Sequence, residues 1–472
     1  MYTKFKYCIL LFILIYQSGC KKEEDTESAI NSEETTSSTR LQIPVYYYKL
    51  NNGLKVILSK DDTSPTAAVA VYYNIGFRNE PRDRTGFAHL FEHMMFQGSQ
   101  NLGKMEFIKL VQNNGGTMNG STRFDFTNYY EVVPAHKLET ILWAEGDRMK
   151  GLAITQDNLT NQQGVVKNEV KVNVLNRPYG GFPWLDMPQY ANENWYNAHN
   201  FYGDLKDLDA ATLTDVQQFF DTFYVPNNAA LSVVGNFDIE EVKEWIQKYF
   251  GTIEATELPA IPDISEKRQE ESKAFTKDDP LANKPAIAVA YHMPERNSTE
   301  YYAMGLLDQI LTQGNNALLT LKLEKEKGYT SDVSGGINYL GNMFNYNGPM
   351  QWMYDFVYDT ETSKEEVLQS IDEVMSGLPE KINEQTTANA KIKFKSQFYE
   401  ILGRTGGLGI ADLLCAFALF DDDPSRINEI EAKFEDITPE QIKKAAAEYL
   451  RPENRTILHV NPLLTNTKNQ KS

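Results

Sequence analysis

The sequence predicts an α+β protein of two homologous domains, each a mostly antiparallel sheet packed with helices. Three observations carry this expectation. Strand-like and helix-like runs alternate from Ile43 to Phe250, and the series begins again at Ala286-Ile287-Ala288-Val289-Ala290. Thr212-Leu213-Thr214-Asp215-Val216, Phe223 and Pro226-Asn227-Asn228 align, at a constant offset of 226, with Thr438-Pro439-Glu440-Gln441-Ile442, Tyr449 and Pro452-Glu453-Asn454. The 472 residues, 41% apolar and 12% aromatic, suffice for a large core without disulfides.

The elements follow in order. Lys4 and Lys6 precede the apolar run Cys8 to Tyr16, which is far shorter than the roughly 20 residues of a spanning helix. Ser18-Gly19-Cys20 comes next, so residues 1–19 read as a secretory signal and resemble that of a bacterial lipoprotein, with Cys20 as the acylated residue. Residues 20–41 are rich in Lys, Glu, Ser and Thr and read as a flexible tether. The first domain spans 42–251. Val45-Tyr46-Tyr47-Tyr48 and Lys55-Val56-Ile57-Leu58 flank an Asn51-Asn52-Gly53 turn, and Ala67 to Ile75 forms a further strand. Helices follow at about 85–97 and 104–113. After Gly115-Gly116 come strands at about 117–133, a helix at about 135–150, a late strand at Leu231 to Gly235, and a helix from Asp238 to Phe250. Residues 252–284, rich in Glu, Lys, Pro and Ser, read as an interdomain linker. The second domain covers 285–463, and 464–472 is a tail.

Composition narrows the function. With 46 basic and 65 acidic residues the formal charge is −19, which repels phosphate and argues against a nucleic-acid partner. A mean hydropathy of −0.47 excludes a polytopic membrane protein. Once Cys8 is removed and Cys20 acylated, Cys415 stands alone, in an apolar run where it reads as a packing residue.

The chemistry concentrates in Gly86-Phe87-Ala88-His89-Leu90-Phe91-Glu92-His93. Positions i and i+4 share a helix face, so His89 and His93 can bind one ion. Glu92 lies beside them and is placed to take a proton from a water at that ion. A catalytic zinc normally has three protein ligands and an open position, so one ligand is missing. Spacing alone leaves Glu145, Asp147 and Glu169 as candidates, with His136 a weaker one.

The H-x-x-E-H arrangement is the inverted zincin motif. Its surroundings resemble the pitrilysin/insulinase family of zinc peptidases, in particular its small two-domain members such as mitochondrial processing peptidase subunits. The similarity runs through Asn52-Gly53-Leu54-Lys55-Val56, Arg84 to Phe96, Gly115-Gly116-Thr117-Met118-Asn119-Gly120-Ser121-Thr122, Trp143 to Met149, and Val165-Val166-Lys167-Asn168-Glu169. The resemblance selects Glu169, 76 residues past His93, as third ligand of one Zn2+ per chain, and implies Glu92 as general base. It also implies that peptide substrate adds as a strand to a sheet edge near Asn119, Gly120 and Ser121.

Two departures matter. Gln162 stands where many relatives carry an assisting glutamate, and an amide cannot take up a proton. Glu324 and Ser331 stand where the family's second domain supplies an arginine and a tyrosine, and Tyr329 is two residues out of register. A carboxylate would repel a developing oxyanion, and a serine is too short to replace a phenol. The expectation is therefore a zinc metalloendopeptidase subunit of the cell envelope, held by a lipid anchor. It would pair with a related subunit that carries the arginine and tyrosine, or form a homodimer. Lys21 after Cys20 points to the outer membrane rather than the inner. The alternatives are a non-catalytic scaffold subunit and a peptide-binding lipoprotein with structural zinc, the latter needing a fourth protein ligand.

Overall fold

A computed structural model describes residues 40–463. The signal, most of the tether, Cys20 and the tail lie outside these residues. Among the described residues no helix is long and apolar enough to cross a membrane.

Two mixed, mostly antiparallel sheets organise the chain. The first comprises β1 (Tyr46–Lys49), β2 (Lys55–Lys60), β3 (Thr66–Tyr73), β4 (Thr117–Thr122), β5 (Thr127–Pro134) and β6 (Ala229–Gly235), in the order β1-β2-β6-β3-β5-β4. The second comprises β7 (Lys273–Asp279), β8 (Ala286–His292), β9 (Ser334–Ile337), β10 (Gln351–Val357) and β11 (Arg455–Pro462), in the order β7-β11-β8-β10-β9. Each sheet has one parallel pair, β2 with β6 and β7 with β11; all other pairs are antiparallel. With β1 set aside, the two orders superimpose strand for strand. The repeated Thr positions are equivalent too: Thr212 and Thr438 each close a capping box, and β6 and β11 each follow a Pro-led turn.

The sequence linker needs correction. Within 252–284, residues Lys273–Asp279 form β7, an edge strand of the second sheet. Its exposed and half-buried positions alternate through Lys-Ala-Phe-Thr-Lys-Asp-Asp. Lys273, Lys277, Asp278 and Asp279 fall on both faces of this edge strand and hide the strand signal that an apolar buried strand would show plainly.

Both faces of β3 are buried, which explains its unbroken apolar run. Ala67, Val69, Val71 and Tyr73 face helices of the same half: α1 (Phe87–Met94), α2 (Glu106–Asn113), α3 (Leu138–Lys150) and α4 (Gln156–Val170) contribute to that core. Ala68, Ala70 and Tyr72 face the other way, against the helix Leu408–Asp421 of the second half, which packs on β2, β3 and β6. There the Cys415 thiol is buried and donates to the Ala70 carbonyl, 3.4 Å away. The exchange is reciprocal, because α5 (Asp186–Ala191) from the first half packs on β8 and β11 through Met187 and Ala191.

Candidate metal and catalytic site

Helix α1 positions the site. Phe87, Leu90, Phe91 and Met94, at i, i+3, i+4 and i+7, are buried in the core, which turns His89, Glu92 and His93 toward β4 and α4. The helix has no side-chain N-cap. Instead the buried carboxylate of Glu80 accepts the amides of Gly86 (2.8 Å) and Ala88 (2.5 Å). Burial pushes Glu80 up, and His199 together with these two amides works against that. His199 lies 3.7 Å from Glu80 and stacks on Trp195. Gly86 takes φ +82°, and a Cβ there would come within 2.4 Å of the Tyr202 carbonyl, so only glycine starts the helix at this angle.

Three side chains meet. His89 Nε2 and His93 Nε2 are 3.4 Å apart, His89 Nε2 lies 3.6 Å from Glu169 Oε1, and His93 Nε2 lies 3.3 Å from Glu169 Oε2. Tetrahedral zinc with bonds of about 2.0–2.1 Å requires ligand atoms about 3.3 Å apart, and each of these three approaches is near that value, with Glu169 facing His89 through Oε1 and His93 through Oε2. Among the described residues no fourth His, Cys, Asp or Glu joins the group. Three protein ligands leave a position for water or substrate, whereas structural zinc sites are closed by four.

The protonation states suit a metal. Burial, then the neighbouring His93, holds His89 down to about 4, so its imidazole is neutral near pH 7. Burial alone would raise Glu169, but a hydrogen bond with His93, the charges of both histidines and the Tyr202 hydroxyl bring it below the usual carboxylate range. Tyr202 donates to Glu169 Oε1 at 3.1 Å and fixes that carboxylate from behind. Glu92 is raised, chiefly by burial; Thr122 Oγ1 donates to its Oε2 at 2.8 Å and orients it.

The other sequence candidates lie elsewhere. Glu145 and Glu131 both bond the buried Arg148 guanidinium, Asp147 accepts from Ser99 and Asn101, and His136 is exposed on a turn. Asn119, Gly120 and Ser121 sit on β4, the outermost strand of the first sheet, whose outer edge has no partner strand among the described residues. Beside them is a cavity of about 330 Å³ lined by Glu92, His93, Phe96, Ile108, Met118 and Asn119, among others. Gln162 is buried two turns before Glu169 and bonds Asn161. Glu324 accepts the Val333 amide at 3.0 Å, just before β9, and Ser331 is exposed; neither lines the cavity. Glu80, His199 and Tyr202 escaped the sequence reading, because each acts through a contact made only by the folded chain. Thr122 belonged to a quoted motif, but spacing could not show that it touches Glu92.

Comparison with known proteins agrees with this geometry. Residues 55–180 match the family model described as "Insulinase (Peptidase family M16)", and residues 210–394 match "Peptidase M16 inactive domain". The chain is 24% identical over 426 residues to "Zinc protease PqqE" of Helicobacter pylori, covering 88% of this chain and 92% of that one. It is 23% identical over 230 residues to "Mitochondrial-processing peptidase subunit beta" of Saccharomyces cerevisiae, covering 48% and 49%. The crystal structure of a protease from Helicobacter pylori shares the fold, with a TM-score of 0.81 at 24% identity over 89% of this chain and all of that one.

Proposed function

Because the chain belongs to the insulinase (M16) family of peptidases, we propose that it is a zinc-dependent metalloendopeptidase subunit that hydrolyses extended peptides in the bacterial cell envelope. One observation carries this: His89, His93 and Glu169 bring ligand atoms to within 3.3–3.6 Å of one another with no fourth His, Cys, Asp or Glu beside them among the described residues, and Glu92 lies next to them. Zinc bound there would polarise the scissile carbonyl and make a water acidic enough to attack it. The chain's own residues do the rest. An extended peptide pairs with the outer edge of β4 near Asn119, Gly120 and Ser121, which fixes its backbone without strict choice of sequence. Glu92, aimed by Thr122, takes the proton of the attacking water and hands it to the leaving amine. Tyr202 holds Glu169 in its ligating orientation.

Glu324 and Ser331 supply no oxyanion donor, so the active assembly includes a related partner that brings an arginine and a tyrosine, as the resemblance implies. A lipid on Cys20 would tether the body to the envelope, with the outer membrane as the expected place. Cys20→Ser should release the protein from the membrane fraction; retention there would refute the anchor. The same departures, with Gln162, favour a second reading, a scaffold subunit that keeps zinc without turnover. The two separate when the zinc-loaded chain meets a quenched peptide library, alone and with a related subunit carrying the pair. Cleavage in either mixture supports the peptidase, and cleavage by the chain alone refutes the need for a partner. No cleavage in either, with zinc bound, supports the scaffold.

A further inference from the structure

A second cavity, of about 320 Å³, lies across β4 from the one beside Glu92. The register separates most of their lining, and Asn119 borders both. Cross-strand partners share a face, and Ser121 opposes Asn128 while Asn119 opposes Tyr130. These four line the second cavity, together with Arg123 from the β4–β5 turn and Asn342, Arg404 and Asp412 from the second half. Met118 and Thr122 point the other way, Met118 into the cavity beside His93 and Thr122 onto Glu92.

The second cavity holds two guanidinium groups that no salt bridge pairs among the described residues. Among the described residues neither Arg123 nor Arg404 forms a salt bridge, whereas the buried Arg78, Arg148 and Arg296 all do. Arg123 is half-buried; burial opposes its charge, Glu92 and Tyr130 favour it, and Arg404 repels it. The two cations are close enough to act on one another, and Glu92 favours the Arg123 charge without forming a salt bridge with it. Asp412 does not serve as their counter-ion. It makes no salt bridge among the described residues, and burial alone pushes its carboxyl up to about 7, with no contribution from either arginine. Unpaired arginines in a half-enclosed polar cavity are suited to a carboxylate, which a guanidinium can hold by two parallel hydrogen bonds.

A peptide that extends the sheet at β4 sends successive side chains to opposite faces. One side chain then enters the cavity walled by Phe96, Ile108 and Met118, and its chain neighbours face Arg123 and Arg404. We propose that Arg123 and Arg404 form a specificity subsite for a carboxylate of the substrate, carried one residue away from the side chain held beside Glu92. The carboxylate is either an aspartate or glutamate side chain or the peptide's own C-terminus. This rests on the peptidase reading and names the substrate class: extended peptides bearing an acidic group next to an apolar residue.

The test uses zinc-loaded Glu92→Gln full-length chain, fluorescent peptides and binding anisotropy, with cleavage by the Glu92 form as a second readout, each alone and with a related subunit carrying the arginine/tyrosine pair. An acidic residue is scanned through each position against its amide, and every peptide is made with a free and an amidated C-terminus. We expect one position, or the free C-terminus, to bind about tenfold tighter than its amide, the worth of a charge-assisted hydrogen bond. The responding arm identifies the source of the carboxylate. Arg404 is exposed, so Arg404→Ala should fold and bring the ratio toward one, and Arg404→Glu should turn the preference toward lysine. Arg123→Gln should lower the same ratio. Peptides that bind or are cleaved without charge preference, or a preference unmoved by both arginine substitutions, would overturn the subsite and leave the peptidase reading standing. If no peptide binds or is cleaved with zinc bound and the related subunit present, the peptidase reading fails and the subsite with it.

Discussion

Tyr202 shows what a single hydroxyl contributes to this site. It donates to Glu169 Oε1, the ligand that arrives from a helix separate from the two histidines. Tyr202→Phe keeps the ring against His89 and removes only that bond. Loss of a hydrogen bond behind a ligating carboxylate should weaken zinc about 10- to 100-fold in a competition titration with a chelator. Unchanged affinity would show that Glu169 needs no such support. The histidine pair and Glu92 were legible because helical periodicity alone puts i and i+4 on one face. The third ligand was not, since dozens of acids were equivalent by spacing and only the likeness to known peptidases selected Glu169. Tyr202 and Glu80 could not be seen at all, because tertiary packing brings them to the site from 33 residues after Glu169 and from 6 residues before Gly86.

At the scale of elements, the start of α1 and the helix Leu408–Asp421 carry the clearest consequences. Gly86→Ala places a methyl group 2.4 Å from the Tyr202 carbonyl at a left-handed φ. Both effects act together, so the loss should exceed the ~1 kcal/mol expected where alanine is merely strained. Denaturant melts would report it, and a change below that figure would contradict the geometry. Asp412 sits on Leu408–Asp421 with its carboxyl pushed up to about 7 by burial. Its folded value exceeds the unfolded one of about 3.9, so between the two the folded chain holds a proton that the unfolded chain has lost. Stability from this group is present below about pH 4 and is lost as pH rises through about 7. Asp412→Asn should therefore gain thermal stability relative to the parent on going from pH 4 to pH 8, and a difference constant with pH would refute the assignment. The strands were largely readable from apolar runs and the Asn51-Asn52-Gly53 turn. β7 was not, because charges on both its faces make it resemble a linker.

Across the whole molecule, the duplication was visible in the sequence as a constant offset, and the shared strand order of the two sheets is its structural counterpart. The reciprocal exchange of α5 and Leu408–Asp421 was hidden, because periodicity shows that a helix has an apolar side without showing which sheet receives it. Leu408–Asp421 carries buried residues at successive positions from Leu413 to Ala418, a pattern fitting a helix enclosed between two halves. This enclosure sets the second-half residues Arg404 and Asp412 beside β4, so the cavity there draws on both halves although the candidate metal ligands His89, His93 and Glu169 come from one. The central claim is that this fold holds zinc for hydrolysis through Glu92. It is tested most directly by peptide turnover with bound zinc measured in the same samples, comparing the chain and its Glu92→Gln variant in the presence of the partner subunit. The account predicts one zinc per chain in both and turnover in the parent only, lower by at least about 100-fold in the variant. Equal turnover in the two, with zinc bound, would contradict it.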